Sequence, residues 1–464
     1  MSLPTTIREL RDSDYRVLSV REEMRKNLIC RLEENEELFP GIVGYEETVE
    51  PQLENALLSG QDVILLGERG QAKTRIARSL TALLDEFIPA IEGCEINDNP
   101  FDPICRSCRD KVGEHGDDVT VEWIPRDRRY GEKLATPDTT IADLIGEVDP
   151  IKVAEGRHLA DELVIHYGLI PRTNRGIFCI NELPDLAERI QVGLLNIMEE
   201  RDVQIRGFKI RLPLDIVVVA SANPEDYTNR GRIITPLKDR TGSEIRTHYP
   251  HTLEHEIEIV EREATTFAAD GFDVQVPGFM KEIVAEITHL ARKSADISQR
   301  SGVSVRVSIA NYENVVSNAL KRSIRLQEKQ VVPRIVDLPA VMASTAGKIE
   351  LESLGEANEQ KVVDKLVRGA IVNVFNQYFL VQEFDGLLRS FAGGMTLEVS
   401  ENMPSMEYAQ QAFREEGLKN AVSKLGVQGN PALIASATEF VLEGLHLNRR
   451  LNKDRTDGRA RYRR

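Results

Sequence analysis

The sequence predicts an α/β fold, a parallel β-sheet with helices on both faces, followed by a mainly helical C-terminal half. Short apolar runs suited to buried strands lie at 63–66, 177–180 and 216–220. Helical patterns separate these runs, and this alternation is typical of a parallel sheet covered by helices on both sides. After residue 252 the apolar residues recur at helical spacing, which predicts helices from there onward.

The composition is that of a globular protein with an acidic surface. The 464 residues are long enough for about three domains. With 59 basic and 75 acidic residues the net charge is −16, which excludes a general polyanion binder. The basic run at 449–464 is better explained as a disordered solubilising end or a docking arm than as a nucleic-acid contact. No apolar run approaches transmembrane length and the N-terminus lacks a signal-peptide core, so we expect a cytoplasmic protein.

The first apolar run leads into a glycine-rich turn and then a helical pattern. This is the context of a phosphate-binding loop, because backbone N–H groups and a helix N-terminus converge on one anion. Lys73 adds a cation for the β- and γ-phosphates, and the Thr74 hydroxyl can ligate Mg²⁺. The predicted nucleotide-binding residues are Gly67, Glu68, Arg69, Gly70, Gln71, Ala72, Lys73 and Thr74. The alternative is a helix start with a chance Lys-Thr pair.

The loop departs from the usual G-x-x-x-x-G-K-[ST] pattern at one position. Ala72 stands where the second glycine is usual. Alanine tolerates most helix-start conformations but not a positive φ, so the departure is expected to be mild.

Polar residues follow the other two predicted strands. Asn181 and Glu182 come directly after 177–180, and Asn223 follows 216–220. Ligands of parallel sheets bind at the carboxyl ends of the strands. We therefore expect Thr74, Glu182 and Asn223 to converge on one phosphate.

In this order the motifs resemble AAA+ ATPases of the MoxR and magnesium-chelatase ATPase-subunit branch. The resemblance rests on the loop at 67–74, Ile-Asn-Glu at 180–182, Ser-Ala-Asn-Pro-Glu at 221–225 and Thr-Pro-Leu-Lys-Asp-Arg at 235–240. It covers roughly residues 39–355. It implies a P-loop AAA+ domain at 39–250 with an insert at about 126–172, and a helical lid at 251–355. Outside the resemblance, the charged helical pattern at 1–38 predicts an N-terminal helical extension, and the apolar residues at helical spacing after 356 predict a helical C-terminal domain with a basic tail at 356–464.

The resemblance also implies roles for single residues. Glu182 would orient or activate the attacking water, and Asn223 would occupy the sensor-1 position. Arg240 resembles an arginine finger that acts on a neighbouring subunit's ATP, which implies a homo-oligomeric ring, commonly of six. Arg306 is the candidate lid arginine at the sensor-2 position. The segment near adenine would include Ile42 and Val43.

One family feature is missing. The family pattern has Asp-Glu after the second strand, whereas this chain has Asn181-Glu182. Thr74 and Asn181 are thus the expected Mg²⁺ residues, with one negative charge fewer. We expect an ATP-hydrolysing ring motor that remodels or activates a partner protein, a partner with a von Willebrand A domain being implied by the resemblance. A nucleotide-gated scaffold with little hydrolysis stays open because of Asn181. An AAA+ transcriptional regulator is a weaker alternative, because no Gly-Ala-Phe-Thr-Gly-Ala string is present.

Four residues have spacing compatible with a zinc site. Cys94, Cys105, Cys108 and His115 follow the pattern C-x10-C-x2-C-x6-H, and three cysteines with one histidine are a common structural zinc set. The alternative is a set of scattered reduced cysteines with a solvated histidine. The basic run at 126–133 could line a pore but is more simply a solvated face.

Overall fold

The computed structural model divides the chain into two compact units, Met1–His248 and Tyr249–Arg464. It describes residues 3–154, 162–200, 202–204, 211–224, 231–265, 271–299, 301–352, 356–427, 429–456 and 459–464. None of the helices in these ranges combines the length and the hydrophobicity that a membrane crossing requires.

The first unit is built on a sheet of five parallel strands. Its described strands are β1 Val63–Leu66, β2 Phe87–Ile91, β3 Val121–Pro125, β4 Tyr130–Leu134, β5 Gly146–Val148, β6 Ile165–Tyr167, β7 Gly176–Asn181, β8 Asp202–Gln204, β9 Arg211–Pro213, β10 Ile216–Ala222 and β11 Ser243–Arg246. The central sheet has the order β11-β1-β10-β7-β4. Three of its strands are the predicted apolar runs, so the predicted parallel sheet is confirmed.

Helices cover both faces of this sheet. The described α-helices of the unit are α1 Ile7–Arg11, α2 Val20–Glu34, α3 Glu50–Leu58, α4 Lys73–Ser79, α5 Arg106–His115, α6 Ile141–Leu144, α7 Pro150–Ala154, α8 Leu169–Arg172, α9 Glu188–Glu199 and α10 Thr235–Arg240. Alternate residues of β1 enter different cores: Val63 and Leu65 join one and Ile64 and Leu66 the other. Burial on both faces explains why β1 is continuously apolar.

The N-terminal segment is an integral part of the first unit. Residues Val20, Met24 and Leu28 of α2 join the core beneath the central sheet. On the same helix, Glu23 forms a two-pronged ion pair with Arg129, at 2.6 and 2.7 Å, and only 1% of the arginine side chain is exposed. The prediction of a solvated face for the basic run is therefore wrong at Arg129. The predicted insert at 126–172 contains β4, a strand of the central sheet.

The second unit is mainly helical and has one large hydrophobic core. Its described α-helices are α11 Leu253–Glu263, α12 Gly278–Lys293, α13 Arg306–Leu326, α14 Val341–Thr345, α15 Glu356–Tyr378, α16 Asp385–Ala392, α17 Ser405–Arg414, α18 Glu416–Lys424 and α19 Pro431–Leu447. Helices α12 and α13 share this core with α15 and α19. The predicted boundary at 355 therefore lies between helices with a common core, and the separation of a lid from a C-terminal domain stays a prediction.

The basic C-terminal segment is folded in its described part. The short strands of this unit are β12 Asp273–Val274, β13 Gln330–Val331, β14 Leu397–Ser400, β15 Asn452–Thr456 and β16 Arg459–Arg463. Strands β15 and β16 pair with each other and, through β16, with β14. Tyr462 is 1% exposed, and Arg461 forms an ion pair with Glu398. The expectation of a disordered end is wrong because alternate residues of β16 enter the core.

Candidate nucleotide site

The loop between β1 and α4 is held by contacts from the end of β11. The side-chain carbonyl of Gln71 accepts hydrogen bonds from the Glu68 backbone N–H at 3.0 Å and from the Thr247 hydroxyl at 2.8 Å. A Cβ atom at Gly67 would lie 1.9 Å from that hydroxyl, so only glycine fits there. The Tyr45 hydroxyl donates to the backbone carbonyl of Gln71 at 3.0 Å. These contacts fix the loop before any ligand binds.

Ala72 adopts the conformation that alanine was expected to avoid. Its φ is +55°, in the left-handed region, directly before the first residue of α4. This corrects the expectation that the loop would not require a positive φ here. This backbone costs an L-residue roughly 1–2 kcal/mol relative to glycine, so Ala72 carries strain at the turn into α4.

A chain of hydrogen bonds joins the ends of three strands. Lys73 is buried, and its Nζ donates to the Asn223 side-chain oxygen at 2.7 Å, to the Glu68 carbonyl at 2.9 Å and to the Gly67 carbonyl. The Asn223 amide donates in turn to Glu182 at 2.5 Å. Since β10 lies between β1 and β7, the residue after β10 is the natural bridge between the lysine and the carboxylate. The predicted convergence of these strand ends is thus observed.

Thr74 meets Asn181 at the same edge. Its hydroxyl lies 3.3 Å from the Asn181 side-chain oxygen, which also accepts from Ser221 at 3.2 Å. The Asn181 amide nitrogen donates to Glu132 at 2.7 Å, and Glu132 forms an ion pair with Arg78. The amide orientation follows, because its nitrogen faces a carboxylate and its oxygen faces hydroxyl donors. A carboxylate therefore lies directly behind the asparagine.

Glu182 is held in a constrained backbone. Its φ is +56°, and its N–H donates to the Ser221 hydroxyl at 3.2 Å. Non-glycine residues in this region are uncommon and often occur at functional sites. The conformation turns the chain sharply after β7, so that the carboxylate reaches Asn223.

The remaining predicted residues lie elsewhere in the two units. Arg240, the last residue of α10, is half-buried and forms an ion pair with Glu199 at 2.5 Å. Arg306 is the exposed first residue of α13 in the second unit. Ile42 and Val43 are buried in the first unit. Their predicted roles at the nucleotide stay predictions.

A cleft of about 390 Å³ opens beside the loop. Its lining includes Gly67, Glu68 and Gln71 from the loop and the cationic side chains of Lys238 and Arg246. The volume lies within the usual range for small-molecule sites of about 300–1,000 Å³. The carboxylates of Glu68 and Glu244 also line the cleft, so its lining carries charges of both signs.

Three residues of this site were not predicted from the sequence. Glu132 lies on β4, whose polar sequence Tyr-Gly-Glu-Lys-Leu gave no clear strand signal. Thr247 follows β11, which was not recognised because only Ile245 of that strand is apolar. Tyr45 lies in a turn, where its hydrogen bond to the loop depends on tertiary contacts.

The cysteine cluster differs from the predicted set in one ligand. The thiols of Cys94, Cys105 and Cys108 come together with the carboxylate of Asp98, and all four ligand atoms lie within 4.8 Å of one another. Hydrogen bonds from Cys105 and then Cys108 lower the pKa of the Cys94 thiol to about 3. His115 is an exposed residue outside this group. Its inclusion was wrong because it ends α5, and a ten-residue helix carries its last residue about 15 Å from its start.

Comparison with known proteins gives sequence relatives that include magnesium-chelatase subunits. No protein-family model matches the chain. The magnesium-chelatase 38 kDa subunit of Cereibacter sphaeroides is 29% identical over 262 residues, 53% of this chain and 68% of that protein. The magnesium-chelatase subunit ChlI of Nostoc sp. is 29% identical over 264 residues, 55% of this chain and 64% of that protein.

Among solved structures, a cryo-EM-based model of the BchI–BchD complex of magnesium chelatase matches with 20% identity and a TM-score of 0.38, over 70% of this chain and 98% of that one. The similarity rests on the sequence relatives and on the motifs. Those motifs occur in order along the chain and meet at one edge of the parallel sheet. The chain is therefore similar to the ChlI-like AAA+ ATPases.

Proposed function

We propose that the chain binds ATP with Mg²⁺ and hydrolyses the ATP as a subunit of an AAA+ ring that remodels or activates a partner protein. The observation that carries this proposal is the hydrogen-bonded chain Lys73–Asn223–Glu182, which joins the phosphate-loop cation to a carboxylate through one amide. Phosphoryl transfer depends mainly on positioning and charge stabilisation, and these three hydrogen-bonded residues supply both.

The residues present fit a nucleotide. The Lys73 ammonium points at the loop's own carbonyls, the region where backbone and cation would hold the β- and γ-phosphates. Thr74 and Asn181 offer two neutral oxygens of the kind that Mg²⁺ prefers. Bound with ATP, Mg²⁺ neutralises charge on the β- and γ-phosphates.

Glu132 offsets the charge that is missing at Asn181. The usual aspartate would place a carboxylate directly beside Thr74. Here Glu132 lies one hydrogen bond further away and holds the Asn181 oxygen toward Thr74. We infer weaker Mg²⁺ binding than with aspartate, together with a fixed orientation of the asparagine oxygen. Nucleotide binding through Lys73 does not depend on this exchange.

In the proposed reaction Glu182 orients the attacking water, and Asn223 holds the Glu182 carboxylate. The 2.5 Å bond from the Asn223 amide fixes the position of the Glu182 carboxylate. Arg240 would act on a neighbour's ATP, and Arg306 on its own. These two roles rest on the resemblance alone. So do the six-membered ring, the partner with a von Willebrand A domain and the MoxR-like character.

A nucleotide-gated scaffold is the second candidate, and Asn181 is the observation that favours it. With a neutral residue beside Thr74, the chain would still bind ATP but would hydrolyse it slowly. Both candidate functions predict ATP binding, but only the motor predicts robust ATP hydrolysis.

Two substitutions separate binding from hydrolysis. Lys73→Ala should abolish binding of a fluorescent ATP analogue, because the phosphates lose their cation. Glu182→Gln should keep binding and lower turnover by about 10²-fold or more, the scale of general-base effects. Lys26→Ala and Glu34→Gln, exposed changes on α2 of the same charge type, serve as controls. Unchanged ATP affinity in Lys73→Ala would overturn the nucleotide site. Binding with no measurable turnover in the parent chain, with or without candidate partners, would favour the scaffold.

Mixed assemblies test the ring. Mixing chains that carry Arg240→Ala with chains that carry Lys73→Ala should restore part of the turnover. At some of the mixed interfaces, a chain with an intact Lys73 then faces a chain with an intact Arg240. Mixing chains that carry Arg306→Ala with chains that carry Lys73→Ala should restore no turnover, because each substitution inactivates the nucleotide site of its own chain. Equal rescue in both mixtures, or none in either despite verified co-assembly, would contradict the assigned roles.

A further inference from the structure

We propose that Cys94, Asp98, Cys105 and Cys108 form a structural zinc site in the first unit, with Asp98 as the fourth ligand. The site is separate from the proposed nucleotide site and independent of the proposed function. It lies where the chain after β2 meets the start of α5.

The ligand geometry suits one metal ion. The three sulfurs and one carboxylate oxygen lie within 4.8 Å of one another. A Zn–S distance of about 2.3 Å places tetrahedral sulfurs about 3.8 Å apart, so a small contraction closes the site around a single ion. Four-coordinate sites rich in thiolates select zinc among the common divalent ions.

Asp98 provides an independent indication of a ligand. Its side chain is fully buried, and its Oδ2 accepts the Cys105 backbone N–H at 3.0 Å. Its Oδ1 is buried with no hydrogen-bond partner among the described residues. An unpaired buried carboxylate oxygen costs several kcal/mol unless something compensates for its charge. A cation held with the three sulfurs would satisfy this oxygen.

Backbone N–H groups support the sulfurs as they do in metal sites. Cys94 Sγ accepts from the N–H groups of Ile96 and Asp98 at 3.4 and 3.3 Å, and Cys105 Sγ accepts from Cys108 at 3.4 Å. N–H groups that donate to sulfur are typical of the surroundings of metal-bound thiolates. Asn97, at φ +53°, makes the tight turn that brings two of the N–H groups to Cys94.

The surrounding core is small enough to benefit from a metal crosslink. The buried apolar residues around the cluster form a satellite core separate from those of the central sheet. Besides Cys105 and Cys108 its members are Ile7, Ile91, Ile96, Val119 and Val121. Small cores are commonly reinforced by a metal or a disulfide. Zinc would tie residues 94–98 to the N-terminus of α5.

The test is metal analysis of the full chain purified in reducing buffer without chelator. We expect about one zinc per chain. Cys105→Ser and Cys108→Ser should lose the zinc. Asp98→Asn should weaken Zn²⁺ affinity by at least about tenfold, because loss of a group that only hydrogen-bonds to a metal ligand already costs about 10–100-fold. His115→Ala and Cys179→Ser should keep full zinc and serve as controls, because one lies outside the cluster and the other on β7.

A second measurement does not require folded variants. Titration of the metal-free parent chain with Co²⁺ should give thiolate-to-metal charge-transfer absorption and tetrahedral d–d bands, both displaced by Zn²⁺. Absence of zinc together with absence of these bands would overturn the proposal. So would a Cys105–Cys108 disulfide in the chain as isolated under reducing conditions. Loss of zinc in His115→Ala with full retention in Asp98→Asn would overturn the role of Asp98.

Discussion

Asn181 donates its side-chain amide to Glu132 at 2.7 Å across the neighbouring parallel strands β7 and β4. The carbonyl oxygen of the same amide faces the Thr74 hydroxyl. The pair therefore places a neutral oxygen at the proposed Mg²⁺ position and a carboxylate behind it. Glu132 is anchored in turn by Arg78, through bonds of 2.8 and 3.1 Å.

Exchange of the two groups tests this pair. Asn181→Asp alone should lower the free energy of unfolding by about 1–3 kcal/mol. The new carboxylate at position 181 would then face the Glu132 carboxylate in place of an amide donor. The double variant Asn181→Asp with Glu132→Gln restores a donor and an acceptor at unchanged net charge. We expect it to recover stability and to bind Mg²⁺ in the presence of ATP at least as tightly as the parent.

The measurements are thermal unfolding and Mg²⁺ titration of ATP binding, combined in a double-mutant cycle. A coupling of about 0.5–3 kcal/mol is expected for groups in direct contact. Glu34→Gln, an exposed change of the same type, should show no coupling with Asn181→Asp. Additive effects of the two substitutions at 181 and 132 would contradict the pairing.

Ala72→Gly tests the strained turn. Glycine relieves roughly 1–2 kcal/mol of left-handed strain and adds about 0.4–1 kcal/mol of unfolded-chain entropy. The free energy of unfolding should therefore rise, by at most about 1.5 kcal/mol on these figures. Chemical denaturation measures it, and Ala77→Gly inside α4 is the control, which should destabilise. A loss of stability in Ala72→Gly as large as in the control would show that the positive φ is not strained.

The ion pair between Glu23 and Arg129 should contribute far more to stability than its neighbour on the same helix. Glu23→Gln leaves a buried guanidinium without its counter-charge, and breaking buried pairs costs about 3–5 kcal/mol. Lys26 of the same helix forms a more exposed ion pair with Asp85, 3.2 Å apart. Lys26→Ala should cost at most about 1 kcal/mol. Equal losses in denaturant unfolding would refute the distinction.

Glu50 gives the first unit a pH dependence. Partial burial, reinforced by the nearby Glu46, Glu54 and Glu37, raises the pKa of Glu50 from 4.5 to about 7. Between these values the folded chain holds more protons than the unfolded chain, so stability falls as the pH rises through this window. Glu50→Gln stays neutral and should make the unfolding midpoint less sensitive to pH between 4.5 and 7. The same pH slope in parent and variant would contradict this assignment.

The sequence by itself determined the features that depend on local pattern. Apolar runs predicted three sheet strands, and the pattern around Gly67 to Thr74 predicted the strand, tight loop and helix that β1 and α4 form. Because parallel strands end at one edge, the meeting of Asn223 and Glu182 also followed from the sequence.

Only the tertiary structure decided which distant groups meet. Glu132 reaches Asn181 because β4 pairs with β7, and strand order is set by packing rather than by local preference. Asp98 replaces His115 because α5 carries the histidine away from the thiols while the turn at Asn97 brings the carboxylate in. Arg129 is buried because Glu23, 106 residues earlier, supplies its counter-charge. Long-range pairing leaves no periodic signal in the sequence, so charge and spacing alone could not have placed these residues.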